Sequence, residues 1–447
     1  MRGRTTIELR KLFSPLTLLA AIYVPLFVVY LLTSTSLFAR EFHSVKHVST
    51  AGVLYFTAAL LLFGLGAGLG RGRELRRPLR YAFEEAAPAA EYARRRLAPF
   101  LQGLLLVSLA AYIGWFGIGS FRAGGPSKLV EAWLSNPFYV KTQLLRTVPG
   151  LTTLTQLAVA AVPLALAFGL LRRRGRLLGL TVAVVILACV RAFIFSERLA
   201  VLELAVPIVY IMLSERRVAV PKAVLWGLGL GVAVLAVFTA TELRRTYVYT
   251  HNFSPTHVAA RFFGYYVTSI NNGSVVIDRH PAATPFANTG QTLWHFPVVS
   301  SFRAEYLPAV GTVSLRYQDV FGVDPDTYWP QVFAEEDLSY EYNVFTTPGF
   351  LAADFGWLAL PVLLLLGIYS GALYSRARSS PFHRALYAVW LIGLLEFMRI
   401  MYFFDTRALP AYAAFGAVYI SIARRARLRD PVTPPHRAEQ PAAASNR

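Results

Sequence analysis

The chain has 447 residues, a net charge of +19, 55% hydrophobic and 15% charged residues, and one cysteine, Cys189. A soluble chain of this length carries about 25% charged residues, so most of this one is not built for water. Its mean hydropathy of +0.47 also excludes intrinsic disorder, and a lone cysteine excludes a disulfide framework, a cysteine zinc site and an iron–sulfur cluster.

A membrane-crossing helix needs about 20 apolar residues. Runs of that kind fall at Pro15–Ser34, Thr50–Gly70, Ala98–Gly119, Leu151–Leu171, Leu177–Phe195, Leu199–Leu213, Ala223–Thr241, Gly349–Tyr374, Ala385–Phe404 and Leu409–Ile422. The first is too long for a signal-peptide core and no convincing cleavage site follows it, so it reads as a retained anchor. The expected class is an all-α polytopic membrane protein. Its expected parts are an N-terminal bundle of seven helices (1–241), a large outer loop (242–348), three C-terminal helices (349–424) and a disordered, Pro- and Ala-rich tail (425–447).

Lys and Arg in short loops mark the cytoplasmic side. Arg71–Leu97 carries eight Arg, and Arg172–Arg176, Ser214–Lys222, Ser375–Arg384 and both termini are basic. If the ten runs alternate, all of these fall on one side, which holds 28 Lys and Arg against 8 acids. The remainder is close to neutral. The charge therefore reports topology and not nucleic-acid binding: both termini are expected in the cytoplasm and the large loop outside.

That loop is too long for a connector. It holds 20 aromatic residues in 107, six Arg, no Lys and four of the eight His. Aromatic faces stack on sugars, and Arg suits bidentate recognition of phosphate; an aromatic belt at headgroup level is the plainer alternative. Val258–Val276 reads as a helix near the interface and Thr312–Phe321 as another. Asp324-Pro-Asp326 reads as a turn, and Glu335-Glu336-Asp337 as a solvated acidic face. Metal binding at Asp324 and Asp326 is disfavoured.

Five ionisable residues lie within the apolar runs: Arg191, Glu203, Asp354, Glu396 and Arg399. Each costs about 2.5–3.5 kcal/mol to insert unless paired or wet. At 1.5 Å per residue, all five fall within roughly 6–12 Å of the outer interface. They suggest one polar cavity opening outward. Arg191 and Arg198 flank a tight turn containing Glu197, and two guanidinium groups at that depth suit a lipid phosphate or pyrophosphate.

The stretch Glu341-Tyr-Asn-Val-Phe-Thr-Thr-Pro-Gly349, followed by Ala353-Asp354-Phe-Gly356, resembles the Asn-x-Phe-Thr…Asp-Phe-Gly pattern of bacterial O-antigen and oligosaccharide repeat-unit polymerases of the Wzy type. Arg191 to Arg198 is similar to their Arg-rich turn, and Phe263–Asn271 to the start of their large periplasmic loop. The motifs cover about 40 residues. The ten runs fall short of the family's usual eleven to fourteen. The His-centred motif of the related O-antigen ligases is not convincing here, which favours a polymerase and leaves a ligase open.

The resemblance implies a metal- and cofactor-independent glycosyltransferase of GT-C-like architecture in the bacterial plasma membrane. The donor would be an oligosaccharide on undecaprenyl pyrophosphate, and the acceptor a hydroxyl of another lipid-linked repeat unit. Arg191 and Arg198 would stabilise the leaving pyrophosphate, with Arg399 and Arg261 in support. Asp354, Glu197 and His295 are the candidate bases. Tyr265, Tyr266, Arg303, Asn343 and Thr346 would hold sugars. Membrane lipid, a chain-length regulator and a flippase are the implied partners. A transferase adding one sugar from a polyprenyl phosphate is disfavoured, because the first outer loop has a single acid, Glu41. A flippase, the alternative of another class, needs polar residues through the full membrane depth.

Overall fold

In the computed structural model, the described residues are 6–76, 87–136, 139–146, 148, 150–172, 174–195, 198–214, 216–219, isolated positions between 221 and 239, 255–291 and 317–429. Their regular elements are helical apart from one two-stranded antiparallel ribbon of β1 (Thr6–Glu8) and β2 (Arg217–Ala219). In chain order the helices are α1 (Pro15–Leu32), α2 (Thr35–Phe42), α3 (Thr50–Arg76), α4 (Ala87–Ala123), α5 (Pro126–Ser135), α6 (Leu151–Ala167), α7 (Gly175–Phe195) and α8 (Arg198–Ser214). Then come α9 (Pro255–Arg279), α10 (Tyr317–Phe321), α11 (Pro325–Glu335), α12 (Thr347–Phe355), α13 (Ala359–Arg376), α14 (Pro381–Leu395) and α15 (Leu409–Arg429).

Five stretches are long and apolar enough to cross a membrane: Pro15–Leu32, Thr50–Gly72, Arg95–Ala123, Gly175–Ile194 and Thr347–Arg376. Four shorter apolar helices, Leu151–Ala167, Leu199–Ser214, Pro381–Leu395 and Leu409–Ser421, accompany them. The chain is thus a helical, multi-pass membrane protein. Each expected apolar run overlaps one of these stretches except the seventh, 223–241, which falls mostly outside the described residues; the tail beyond 429 falls wholly outside them. Several basic segments meet at one end: β1 pairs with β2, and Arg10 donates to the carbonyl of Tyr374 at 3.4 Å.

Two apolar cores form. One gathers α1, α3, α9, α12 and α13; the other gathers α4, α6, α7 and α15; α8 and α14 contribute to both. The tightest junction is α3 on α13. A Cβ on Gly66 would sit 2.2 Å from the Leu364 carbonyl oxygen, and one on Gly367 2.3 Å from that of Phe63. Gly70 and Gly371 repeat the arrangement one turn along. Between apolar helices in lipid there is little hydrophobic drive to associate, so such close backbone approach is what holds them.

Three expectations need correction. First, the run Gly349–Tyr374 is not one helix. It begins at Thr347 and breaks after Phe355, where Gly356 takes φ +56° and a short 3-10 turn (Gly356–Leu358) leads into α13. Glycine tolerates that left-handed backbone where other residues are strained. Second, the run Ala385–Phe404 is helical only to Leu395, then turns through 396–400 into a 3-10 segment, Tyr402–Phe404. A helix of 15 residues rises about 22 Å, short of the roughly 30 Å hydrocarbon core. Backbone freed in such a setting must find partners. Thr347 N–H donates to the Phe397 carbonyl at 2.8 Å, its hydroxyl to that of Ile400 at 3.0 Å, and the Tyr23 hydroxyl to that of Leu394.

Third, α9, the helix expected near the interface, is packed inside the bundle and not on its surface. From Gly264 to Ile277 nearly every residue is buried against α1, α2, α3 and α12. Its polar residues explain why: Asn271 accepts from the His47 N–H at 2.7 Å and donates to the Val45 carbonyl at 2.9 Å. Asn272 donates to the carbonyls of Tyr342 (2.7 Å) and Val344 (3.0 Å), and Gly273 lets α9 cross the start of α12 at Gly349.

Elsewhere between residues 242 and 348, Asp324 caps α11, accepting from the Asp326 N–H at 3.1 Å. The Glu335–Asp337 face is not wholly solvated: Glu336 pairs with Arg279 and stands 3.6 Å from His280. Of Thr312–Phe321, only Tyr317–Phe321 is described, as α10.

Candidate functional site

The charges within the apolar runs fall into three groups, and the non-helical stretch after α14 joins two of them. Phe397, Met398 and Phe403 from this stretch enter the first core, whereas Tyr402 and Ala408 enter the second. The segment therefore occupies the seam of the bundle.

On the second-core side, Glu203 of α8 is a hub. It is 2% exposed. The Tyr402 hydroxyl donates to its Oε1 at 3.2 Å; Arg407 approaches that oxygen with Nε at 3.1 Å and donates to Oε2 from Nη2 at 3.2 Å. Gln156, with its amide turned to satisfy both ends, donates to Oε2 at 3.2 Å and accepts from Arg191 at 3.3 Å. Arg191, in the last turns of α7, also donates to Thr155 Oγ1 at 3.3 Å and lies 5.1 Å over the Trp115 ring. Two guanidinium groups are thus tied to one carboxylate, Arg407 directly and Arg191 through the Gln156 amide. Burying a charge is tolerated where it is paired and hydrogen-bonded, and each member here is.

On the first-core side, Glu396 accepts from Arg399 at 2.8 Å, and the Arg399 guanidinium lies 5.3 Å over the Tyr265 ring. The expected i, i+3 pair forms, although no helix carries it, since Glu396 caps the end of α14. Tyr265 packs edge-on against Tyr342 at 5.0 Å, and Arg261, one turn earlier on α9, is buried. Tyr266 is half-buried beside Phe262.

The third group centres on Asp354. Its Oδ1 accepts from the Asn288 N–H (3.1 Å) and side-chain amide (2.8 Å), and its Oδ2 from the Thr289 N–H at 2.6 Å. Together with Ala282 N–H to Ala352 O and Thr284 N–H to Ala353 O, these bonds strap 281–290 across α12. Ala282 and Phe286 take left-handed φ values of 55° and 58° within the strap. Asp354 therefore acts as an anchor in this structure. Burial pushes the nearby Tyr317 phenol up to about 12, and the Asp354 charge adds to the rise.

Arg191, Arg399, Arg261 and Asp354, expected to line one cavity, are thus gathered around separate partners, with Tyr265 beside Arg399. Thr346 is fully buried and caps α12 by accepting from the Gly349 N–H at 3.0 Å, whereas Asn343 is exposed. Glu197, His295 and Arg303 lie outside the described residues, and for Arg198 the backbone alone is described, as the first residue of α8. The sequence reading missed Gln156, Tyr402 and Arg407. The available signals were a lone amide within the apolar run Leu151–Leu171 and the Asp405-Thr-Arg407 triplet ahead of the last helix.

No family model, no curated protein and no solved structure matches this chain. What is established is the class: a helical multi-pass membrane protein with paired charges buried at a helix break.

Proposed function

We propose that the chain is a polysaccharide polymerase of the bacterial plasma membrane, with ten spans, GT-C-like architecture, cytoplasmic termini and the 242–348 segment outside. It transfers a saccharide from undecaprenyl pyrophosphate to a hydroxyl of a second lipid-linked repeat unit. The observation that carries the reading is the seam itself. Arg399–Glu396 and Arg191–Gln156–Glu203–Arg407 flank one broken stretch, beside the aromatic-rich α9.

In the proposed reaction the acceptor oxygen attacks the anomeric carbon and forms the new glycosidic bond. The bond from that carbon to the pyrophosphate oxygen breaks, and the lipid pyrophosphate leaves with the electron pair. The acceptor proton passes to a carboxylate at the seam, Glu396. Negative charge grows on the departing group, where guanidinium groups stabilise it. Arg191, Arg198, Arg399 and Arg261 are the proposed groups, and Tyr265, Tyr266 and the exposed Asn343 the proposed sugar contacts. Asp354, with both oxygens engaged, serves by holding the strap.

The test is reconstitution of the purified protein with synthetic undecaprenyl-pyrophosphate repeat units. A ladder of longer saccharides is expected. Movement of labelled lipid across the vesicle wall with no ladder would replace this reading with a flippase. Transfer onto a non-repeat acceptor alone would replace it with a ligase.

A further inference from the structure

We infer that the end of the bundle carrying the ribbon holds a binding site for an anionic phospholipid, with Arg71 and Arg378 taking the headgroup phosphate. The site is separate from the seam and does not depend on the polymerase reading.

The sequence puts an excess of basic charge there. Residues 71–80 hold five Arg and one acid, and residues 375–384 three Arg and no acid. The fold brings the two segments together. α3 and α13 run side by side in the same direction, and glycine lets their backbones meet. A Cβ on Gly70 would stand 2.0 Å from the Ile368 carbonyl oxygen, and one on Gly371 2.1 Å from that of Ala67. This contact carries Arg71 to the last turns of α13. Arg71 and Arg378 both lie within electrostatic reach of the Tyr374 phenol there.

A third guanidinium at the same phenol is already satisfied. Arg10 is 8% exposed, with Nη2 3.8 Å from Glu8 Oε2 and its guanidinium 4.8 Å over the Tyr374 ring. Its Nη1 donates to the Tyr374 carbonyl. Arg71 and Arg378 differ from it. Both are exposed, and among the described residues neither makes a hydrogen bond or an ion pair. Positive charges gathered this way repel one another until an anion joins them.

Their position selects the anion. Arg71 is the last residue but one of the apolar stretch Thr50–Gly72, and Arg378 lies two residues past the end of Thr347–Arg376. The ends of such stretches stand at the headgroup level, where basic side chains attract anionic lipid. The turn that carries Arg378 is closed by its own backbone. The Arg378 N–H donates to the Ser375 carbonyl, and those of Ser379 and Ser380 to that of Arg376, each at 3.2 Å. Guanidinium groups on a fixed backbone match phosphate oxygens well. Exposed apolar side chains lead up to both cations, Leu61, Leu65 and Leu69 on α3 and Leu365 and Tyr369 on α13. They give acyl chains a surface, which a free phosphate would not use.

The experiment uses the full-length protein in detergent micelles and reads bound lipid by native mass spectrometry. The probes are phosphatidylglycerol, phosphatidylcholine with the same chains, and inorganic phosphate as competitor. Wild type is expected to retain phosphatidylglycerol over phosphatidylcholine and to keep it when inorganic phosphate is added. Arg71→Gln and Arg378→Gln are each expected to weaken phosphatidylglycerol binding about fivefold, and the double variant about twenty-five-fold. Arg176→Gln, which removes an exposed arginine at the start of α7, is expected to bind as wild type does.

A second measurement needs no variant. Phenylglyoxal modification of Arg71 and Arg378 in the wild type, followed by peptide mass spectrometry, is expected to slow with phosphatidylglycerol and not with phosphatidylcholine. A double variant that binds like wild type, or modification that the anionic lipid does not slow, overturns the site. Arg176→Gln weakening binding as much as Arg71→Gln reduces it to a general effect of net charge. Equal retention of the two lipids overturns recognition of the anionic headgroup, and displacement by inorganic phosphate overturns the lipid assignment.

Discussion

The contact between α3 and α13 makes a prediction whose sign depends on geometry alone. An alanine Cβ at Gly371 would stand 2.1 Å from the Ala67 carbonyl oxygen and 2.9 Å from its carbon, where ordinary contact begins at 3.4 Å. The obstructing atoms are backbone, so no rotamer change relieves them, and the helices must part by about an ångström. Overpacking of this kind costs about 1–3 kcal/mol, while the change from Gly to Ala in a helix returns about 1 kcal/mol. Gly371→Ala is therefore expected to destabilise by up to about 2 kcal/mol. At Gly103, on α4, nothing lies within 4 Å of the added atom, so Gly103→Ala meets only the favourable term. Thermal unfolding of both variants in one detergent, followed by tryptophan fluorescence, should move in opposite directions. A Gly371→Ala protein that melts with Gly103→Ala would mean that the glycine faces do not hold the two helices together.

Asp354→Ala strips the acceptor from three N–H donors of Asn288 and Thr289, a loss of about 2–3 kcal/mol. Hydrogen exchange should rise in 282–290 while α13 stays protected, and unchanged exchange there would remove the anchoring role. Thr347→Val keeps the side-chain shape but loses the hydroxyl bond to the Ile400 carbonyl, worth about 1 kcal/mol; a melting midpoint equal to wild type would count against that bond. Tyr317 is held neutral by burial up to about 12, above the ordinary tyrosine range near 10. Its raised pKa means that its contribution is whole below about pH 10 and is lost as pH climbs through the folded value. Tyr317→Phe should thus flatten the alkaline fall in stability between pH 10 and 12, and identical profiles for the two proteins would refute this.

The apolar runs were legible because lipid demands length and hydropathy together, and both are local properties of the sequence. The breaks at Phe355 and Leu395 were not. Phe397, Met398 and Met401 keep the hydropathy high through a turn, and the group that satisfies the freed carbonyls, Thr347, is remote in sequence. The burial of α9 was hidden for a related reason. Asn271, Asn272 and Ser274 give it the composition of a surface helix, and their partners at Val45, His47 and Tyr342 are visible only once the chain is folded. At the candidate site, Arg191, Glu203, Glu396 and Arg399 were singled out by the cost of burying charge. Gln156 and Arg407 carried no such cost where they stand in the sequence, one being neutral and the other sitting in a loop. Asp354 was correctly marked as costly, but its three donors come from a segment about 65 residues away.

The small ribbon at the other end of the molecule constrains the topology by parity. Thr6 pairs with Ala219 and Glu8 with Arg217, so the two strands share one side of whatever boundary the helices cross. An even number of crossings must therefore separate them. Six apolar runs lie between them in the sequence, which satisfies the rule. The short members Leu151–Ala167 and Leu199–Ser214 cannot be reassigned one at a time. If either stops within the membrane, a second segment between the strands must stop with it.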